Sequence, residues 1–141
     1  MREEPFYELA YRFRRILVPV CQLGAARLRE LLSVAADFGE RYGASAVFLY
    51  VTQSESDPSI EELKRAIGEY MSKRGVKHEF KIRKLGEGET VASEIVKELS
   101  EGGYDMVILA SRGYYGASAL LYSSTSVAVA IAANTSVLIL R

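Results

Sequence analysis

Residues 105–126, DMVILASRGYYGASALLYSSTS, concentrate the side chains of this chain best suited to holding an anion. The apolar start at residues 106–110 predicts a buried strand. A loop rich in glycine, serine and tyrosine follows, and Ser123, Ser124, Thr125 and Ser126 can cap the next helix. Amides at a helix start lack intrahelical partners and carry partial positive charge, and small residues let a ligand approach the backbone. Arg112 adds a cation, Gly113 an unhindered backbone, and Tyr114, Tyr115 and Tyr122 offer rings for stacking on a base. The same residues have plainer roles: tyrosines that fill the crevice, an arginine paired with a carboxylate, hydroxyls that only cap.

The elements that must position this loop follow from periodicity. ILVPV at residues 16–20 is wholly apolar, the mark of a strand buried on both faces. Residues 24–42 carry Leu28, Leu31, Leu32, Ala35 and Ala36 at helical spacing and stop before Gly43. Residues 44–51, ASAVFLYV, predict a second strand. Asp57 and Pro58 then open a helix carrying Leu63, Ile67 and Met71 that ends at Gly75. Residues 76–85 alternate, with Val76, His78, Phe80 and Ile82 on one side and Lys77, Glu79, Lys81 and Arg83 on the other. That pattern predicts a half-buried strand near a sheet edge. After Gly86 and Gly88, Val91, Ile95 and Leu99, with Ala92 and Val96 beside them, define a helical face closed by Gly102 and Gly103. Val127, Ala130 and Ile131 predict the last helical face, and Ser136–Leu140 (SVLIL) a final strand.

Strands alternating with helices predict the α/β class: an open five-stranded parallel sheet with helices on both faces. Right-handed crossovers and the edge character of the third strand give the order 3-2-1-4-5. The first and fourth strands then flank the switch point, and ligands in such sheets bind outside the carboxyl ends of the strands there. This puts Val20, Cys21 and Ala110 at the lip of a crevice, with Val51 at the end of the second strand.

Residues 1–14 lie outside these units. Pro5, with Phe6, Leu9, Ala10 and Phe13 behind it, predicts a short amphipathic extension ahead of a single domain at residues 15–141. Arg12, Arg14 and Arg15 form a small basic cluster, read first as a solvated face and second as a surface toward a bilayer or acidic partner.

At this point the chain resembles the universal stress proteins. The first strand ILVPV, the Gly86 turn before a helix, YDMVILASRG at residues 104–113 and VLILR at residues 137–141 carry the resemblance, which runs from about residue 15 to the end. It implies an adenine-nucleotide alpha hydrolase-like fold, ATP or AMP as the possible ligand, and a homodimer paired through Ser136–Leu140. The implied activity is that of a binding or regulatory module without turnover; members fused to membrane transporters offer a further regulatory precedent. Nucleotide-binding members carry a glycine, two residues, a second glycine, nine residues, and a third glycine followed by serine or threonine. Those positions fall here on Ala110, Gly113, Ser123 and Ser124, and the aspartate such members carry after the first strand corresponds to Cys21.

Two glycines and an acid are therefore replaced. A side chain at Ala110 or Ser123 intrudes where backbone and phosphate would meet, and a non-glycine held in a left-handed conformation costs ~1 to 2 kcal/mol. Cys21 in place of aspartate removes a charged acceptor whose hydrogen bonds are worth ~1.5 to 3 kcal/mol. The expectation is a nucleotide site that is weakened or lost; the alternative is an ATP- or AMP-binding sensor in which Arg112, Ser124, Thr125 and the tyrosines compensate.

Composition excludes other classes. The 18 basic residues balance 18 acidic ones, so nothing electrostatic favours nucleic acid as a partner. No apolar run is long enough to span a bilayer and no signal-peptide pattern precedes the first strand, which predicts a cytoplasmic location. A lone Cys21 and a lone His78 give no zinc-type cluster and no nucleophile with a base in reach. A phosphoacceptor receiver would need acids where Cys21 and Leu85 stand, and a dinucleotide fingerprint would need more than Gly24 after the first strand.

Overall fold

Apolar runs bounded by glycine turns lay down one sheet. The structure, a computed structural model, describes residues 13–20, 23–110, 125 and 128–141. In chain order the elements are β1 (Arg15–Pro19), α1 (Ala25–Tyr42), β2 (Ser45–Thr52), α2 (Pro58–Lys73), β3 (His78–Lys84), α3 (Val91–Gly102), β4 (Met106–Ala110), the helical residues 128–132 (α4) and β5 (Ser136–Leu140). The strands are parallel and ordered β3-β2-β1-β4-β5, as the sequence predicts.

Strand alternation sends side chains to two cores. Ile16, Val18 and Val20 of the first strand join Phe48, Met106 and Ile108 against Leu31, Leu32, Ala35 and Ala36 of α1 and Ile67 and Met71 of α2. Leu17, Val47, Leu49, Val107 and Leu109 face the other way, against Val91 and Ile95 of α3 and Val129. Caps fix where the helices begin and end. Asp57 accepts the Ser59 amide at 3.0 Å, Thr90 and Ser93 form a reciprocal capping box at the start of α3, and Gly103 takes φ 68° at its end.

The structure differs from the sequence reading in three places. β3 starts at His78, because the Val76 amide bonds Met71 O at 3.1 Å and so belongs to the termination of α2. The last helix turns a different face inward: Val129 is fully buried and Ala133 packs behind it, whereas Ile131 is 81% exposed. At about 100° per residue, Ile131 lies roughly opposite Val129, and the row Thr125, Val129, Ala133 takes the sheet. Val127 lies outside the described residues. Finally, the buried face of α3 is Val91, Glu94, Ile95 and Glu98, so two acids stand where apolar residues are the rule.

Close approach decides Gly39. A methyl on Gly39 of α1 would run into the Val76 side chain and stand 3.2 Å from the Ala44 carbonyl oxygen. Gly39→Ala is therefore expected to destabilise by about 1 to 3 kcal/mol through overpacking. That loss outweighs the ~1 kcal/mol that replacing a helical glycine by alanine ordinarily gains. Urea unfolding of the variant measures the sign directly.

Candidate functional site

The switch point opens between β1 and β4. These strands pair at Ile16–Met106 and Leu17–Val107, in their amino-terminal halves, while β1 with β2 and β4 with β5 each hold five partner pairs. Among the described residues no partner pair joins the carboxyl halves of β1 and β4. The end of the first strand instead stays with β2, where the Val20 amide donates to Leu49 O at 2.8 Å. Two strands that separate at their carboxyl ends leave backbone edges facing a common cleft, which is where an open α/β sheet receives ligands.

The described candidate residues divide between the two faces of that edge. Val20 and Ala110 are both 1% exposed and share one face, since Val20 follows Ile16 and Val18 while Ala110 follows Met106 and Ile108. Ala110 is the last residue of β4, in register with Leu140. Val51, 4% exposed, points to the opposite face with Val47 and Leu49 and packs in the second core. It is thus not brought together with Val20. Thr125 is helical and buried. Cys21, Arg112, Gly113, Ser123 and Ser124, with Tyr114, Tyr115 and Tyr122, lie outside the described residues.

Sequence reasoning missed Arg27, in the first turn of α1. Its Nη2 donates to Leu140 O at 2.6 Å and its Nη1 to Glu30 at 2.6 Å, which ties the start of α1 to the carboxyl end of β5. The first turn of α1 holds no acidic residue and Gly24 supplies no side-chain cap, so the positive end of this helix faces the same pole of the sheet as the cleft.

A buried ionic seam, also missed, fastens the far edge of the sheet. Glu98 is fully buried and accepts hydrogen bonds from Lys81 at 2.8 Å, Arg83 at 2.9 Å and the Tyr104 hydroxyl at 2.7 Å. Glu94 accepts from Arg83 Nε at 2.7 Å and from the Gly86 amide at 3.0 Å, and Glu101 completes the Arg83 guanidinium at 3.1 Å. Burial pushes the Glu98 carboxyl up, but Lys81, Tyr104 and Arg83 more than offset it and leave it below the usual range. Arg83, then the Gly86 amide, lower Glu94 against its burial. Burial and the neighbouring Glu98 push the Tyr104 phenol well up. The readable signal was Glu94 and Glu98 four apart on a helix, facing Lys81 and Arg83 two apart on a strand.

The basic cluster at the amino terminus is not uniformly a solvated face. Arg15 Nε donates to Gly102 O at 3.0 Å and its guanidinium sits 4.8 Å from the Tyr104 ring centroid. Asp105 accepts the Arg14 and Arg15 amides at 2.9 Å each, which fixes where β1 begins. No helix among the described residues is long and apolar enough to cross a membrane, and no described group of acids, histidines or cysteines could hold a metal ion.

Solved structures share this architecture. A universal stress protein in complex with cAMP superposes with a TM-score of 0.70 at 16% identity, covering 92% of this chain and 97% of that one. The universal stress protein of Archaeoglobus fulgidus in complex with dAMP gives 0.68 at 17%, covering 92% and 98%. A universal stress protein family member from Burkholderia pseudomallei gives 0.66 at 22%, covering 92% and 96%. At these identities the likeness establishes the fold. Among curated proteins no sequence matches significantly. Residues 12–141, nearly the whole chain, match the Universal stress protein family, and the chain belongs to that family.

Proposed function

We propose that this protein is a binding or regulatory module of the universal stress protein family in which the nucleotide site is weakened. The observation that carries this reading is Ala110. It is the last residue of β4, its methyl is buried at the separating edge of the sheet, and it stands where nucleotide-binding members carry their first motif glycine. Ser123 and Cys21 stand at two more such positions. Each substitution removes either backbone access or a charged acceptor, so the lost affinity accumulates. The test is calorimetric titration with ATP and AMP, with and without magnesium, together with analysis of denatured protein for carried-over nucleotide. The expected result is no binding below about 1 mM, an affinity of only ~4 kcal/mol. Micromolar binding would overturn it.

A second reading, an ATP- or AMP-binding sensor, has specific support: relatives of the same fold hold cAMP and dAMP, and Gly113 and Ser124 remain at their motif positions. The same titration decides between the two.

We further propose that the module is a homodimer through β5. The two sheet edges differ in chemistry. β3 carries Glu79, Lys81, Arg83 and Lys84, charges that discourage edge pairing, whereas Val137, Leu138, Ile139 and Leu140 of β5 are uncharged and half-buried. An open groove of about 590 Å³ beside β5, lined by Val34 of α1, Ile139 and Leu140 among others, adds apolar surface to that edge. Light scattering is expected to give twice 15.6 kDa. A monomer at all accessible concentrations would refute the pairing.

A further inference from the structure

We propose that the contact between α3 and the edge strand β3 is an acid-released latch, which frees β3 and the turn after it while the apolar layers of the sheet stay folded. The floor under α3 changes chemistry at one strand. Val47, Leu49 and Val51 of β2 belong to the second core, and their register partners on β3 are Glu79, Lys81 and Arg83. Among the described residues no side chain of β3 enters that core, and Phe80 alone joins the first.

α3 matches this change of face. Val91 and Ile95 point into the second core, whereas Glu94, Glu98 and Glu101 recur at i, i+4 and i+7 as one stripe against β3. What joins the two elements is therefore ionic. Arg83 reaches Glu94 at 2.7 Å, Glu98 at 2.9 Å and Glu101 at 3.1 Å, and Lys81 reaches Glu98 at 2.8 Å. Glu94 also accepts the Gly86 amide at 3.0 Å, so one carboxylate holds both the strand and the turn that leaves it. The charges nearby have other places: Glu79 is exposed on the strand, Lys97 meets Glu89 at 3.2 Å, and Arg15 lies 4.8 Å from the Tyr104 ring centroid.

Protonating the three acids leaves Lys81 and Arg83 as unpaired cations two residues apart on one face of a strand, where they repel. β3 is then held only by its ladder to β2 and by Phe80, while β1, β2 and β4 keep apolar partners on both faces. Arg83 holds the Glu94 carboxyl below the usual range; burial pushes Glu98 up but is outweighed by Lys81, Tyr104 and Arg83. The latch therefore stays closed above about pH 4.3 and opens as pH falls through the folded values.

Hydrogen exchange read by mass spectrometry, corrected for the intrinsic effect of pH, locates the opening. Between about pH 7 and about pH 3.5, residues 78–89 are expected to lose protection at least about tenfold while residues 16–20 and 106–110 keep theirs. Loss of protection in all three segments at the same pH overturns the proposal, as does unchanged protection of residues 78–89 down to the pH at which the whole chain unfolds. Glu94→Gln combined with Glu98→Gln removes both charges and is expected to give the opened pattern already at about pH 7. Full protection of residues 78–89 in that folded variant counts against the latch. Should it fail to fold, Lys81→Met with Arg83→Met and Glu98→Met replaces the seam by apolar contacts, a change that buried ion pairs often tolerate. Residues 78–89 are expected to stay protected in acid in this variant, and opening as in the parent overturns the assignment to the seam.

Discussion

Glu98→Ala is expected to cost about 3 kcal/mol of stability, the lower end of the range for breaking a buried ion pair by removing one partner. The acid is fully buried and holds three donors, so its removal strands the Tyr104 hydroxyl and takes one carboxylate from Arg83. Lys81 is 42% exposed and regains water, and Arg83 keeps Glu94 and Glu101, which is why the loss does not climb higher. The contrast is Glu69→Ala on α2, where the partner Arg65 lies at 3.4 Å and both side chains are about two-thirds exposed; there the change should stay below about 0.5 kcal/mol. Urea unfolding of the two variants beside the parent measures both. Equal effects would show that the seam contributes no more than a surface pair.

The same seam sets a pH dependence. Glu94 and Glu98 have folded values below their unfolded ones, so their contribution is fully present above the unfolded carboxylate range near pH ~4.3 and is lost as pH falls through the folded values. Tyr104 is shifted upward, so its contribution is complete below pH ~10 and is lost as pH rises beyond that. Stability measured by urea from pH 3 to 11 should form a plateau with both shoulders, and Glu98→Ala should flatten the acid one. An acid limb with the same slope in the variant would remove the seam from the explanation.

Ala110→Gly combined with Ser123→Gly and Cys21→Asp is expected to raise ATP affinity by at least about tenfold, the equivalent of ~1.4 kcal/mol. The two glycines relieve intrusion at the backbone, and the aspartate returns a charged acceptor for a ribose hydroxyl or an adenine amine. Ala110→Gly removes a buried methyl from the end of β4, so the variant should also lose about 1 kcal/mol of stability. Calorimetry on the folded variant separates the two effects. If affinity stays flat in a protein that unfolds cooperatively, the lost motif residues are not what closed the site.

Strand and helix identity were legible because both are local. ILVPV, ASAVFLYV and MVILA read as strands from their apolar runs, and Asp57, Gly43 and Gly103 mark ends where backbone groups need partners or a left-handed turn. The order β3-β2-β1-β4-β5 also followed, since crossover handedness and the charged edge leave little choice. At the candidate site the sequence offered Val20, Ala110 and Val51 together and could not separate the face of the first two from that of Val51. The face on which a strand-end side chain sits depends on register, and a one-residue step reverses it.

What the sequence determined by itself, then, was the set of elements and their order in the sheet, because propensity, caps and crossover chirality act over a few residues or over whole units. The tertiary structure decided which of several possible partners each polar side chain takes. Glu94 and Glu98 read as ordinary helical acids until β3 sets Lys81 and Arg83 against them. Arg15 reads as a surface cation until Tyr104 and Gly102 come beneath it. Ile131 reads as core until the rotation of its helix places Val129 inward instead. Each of these depends on contacts between residues far apart in the chain, and a buried charge is tolerable only once such a contact exists.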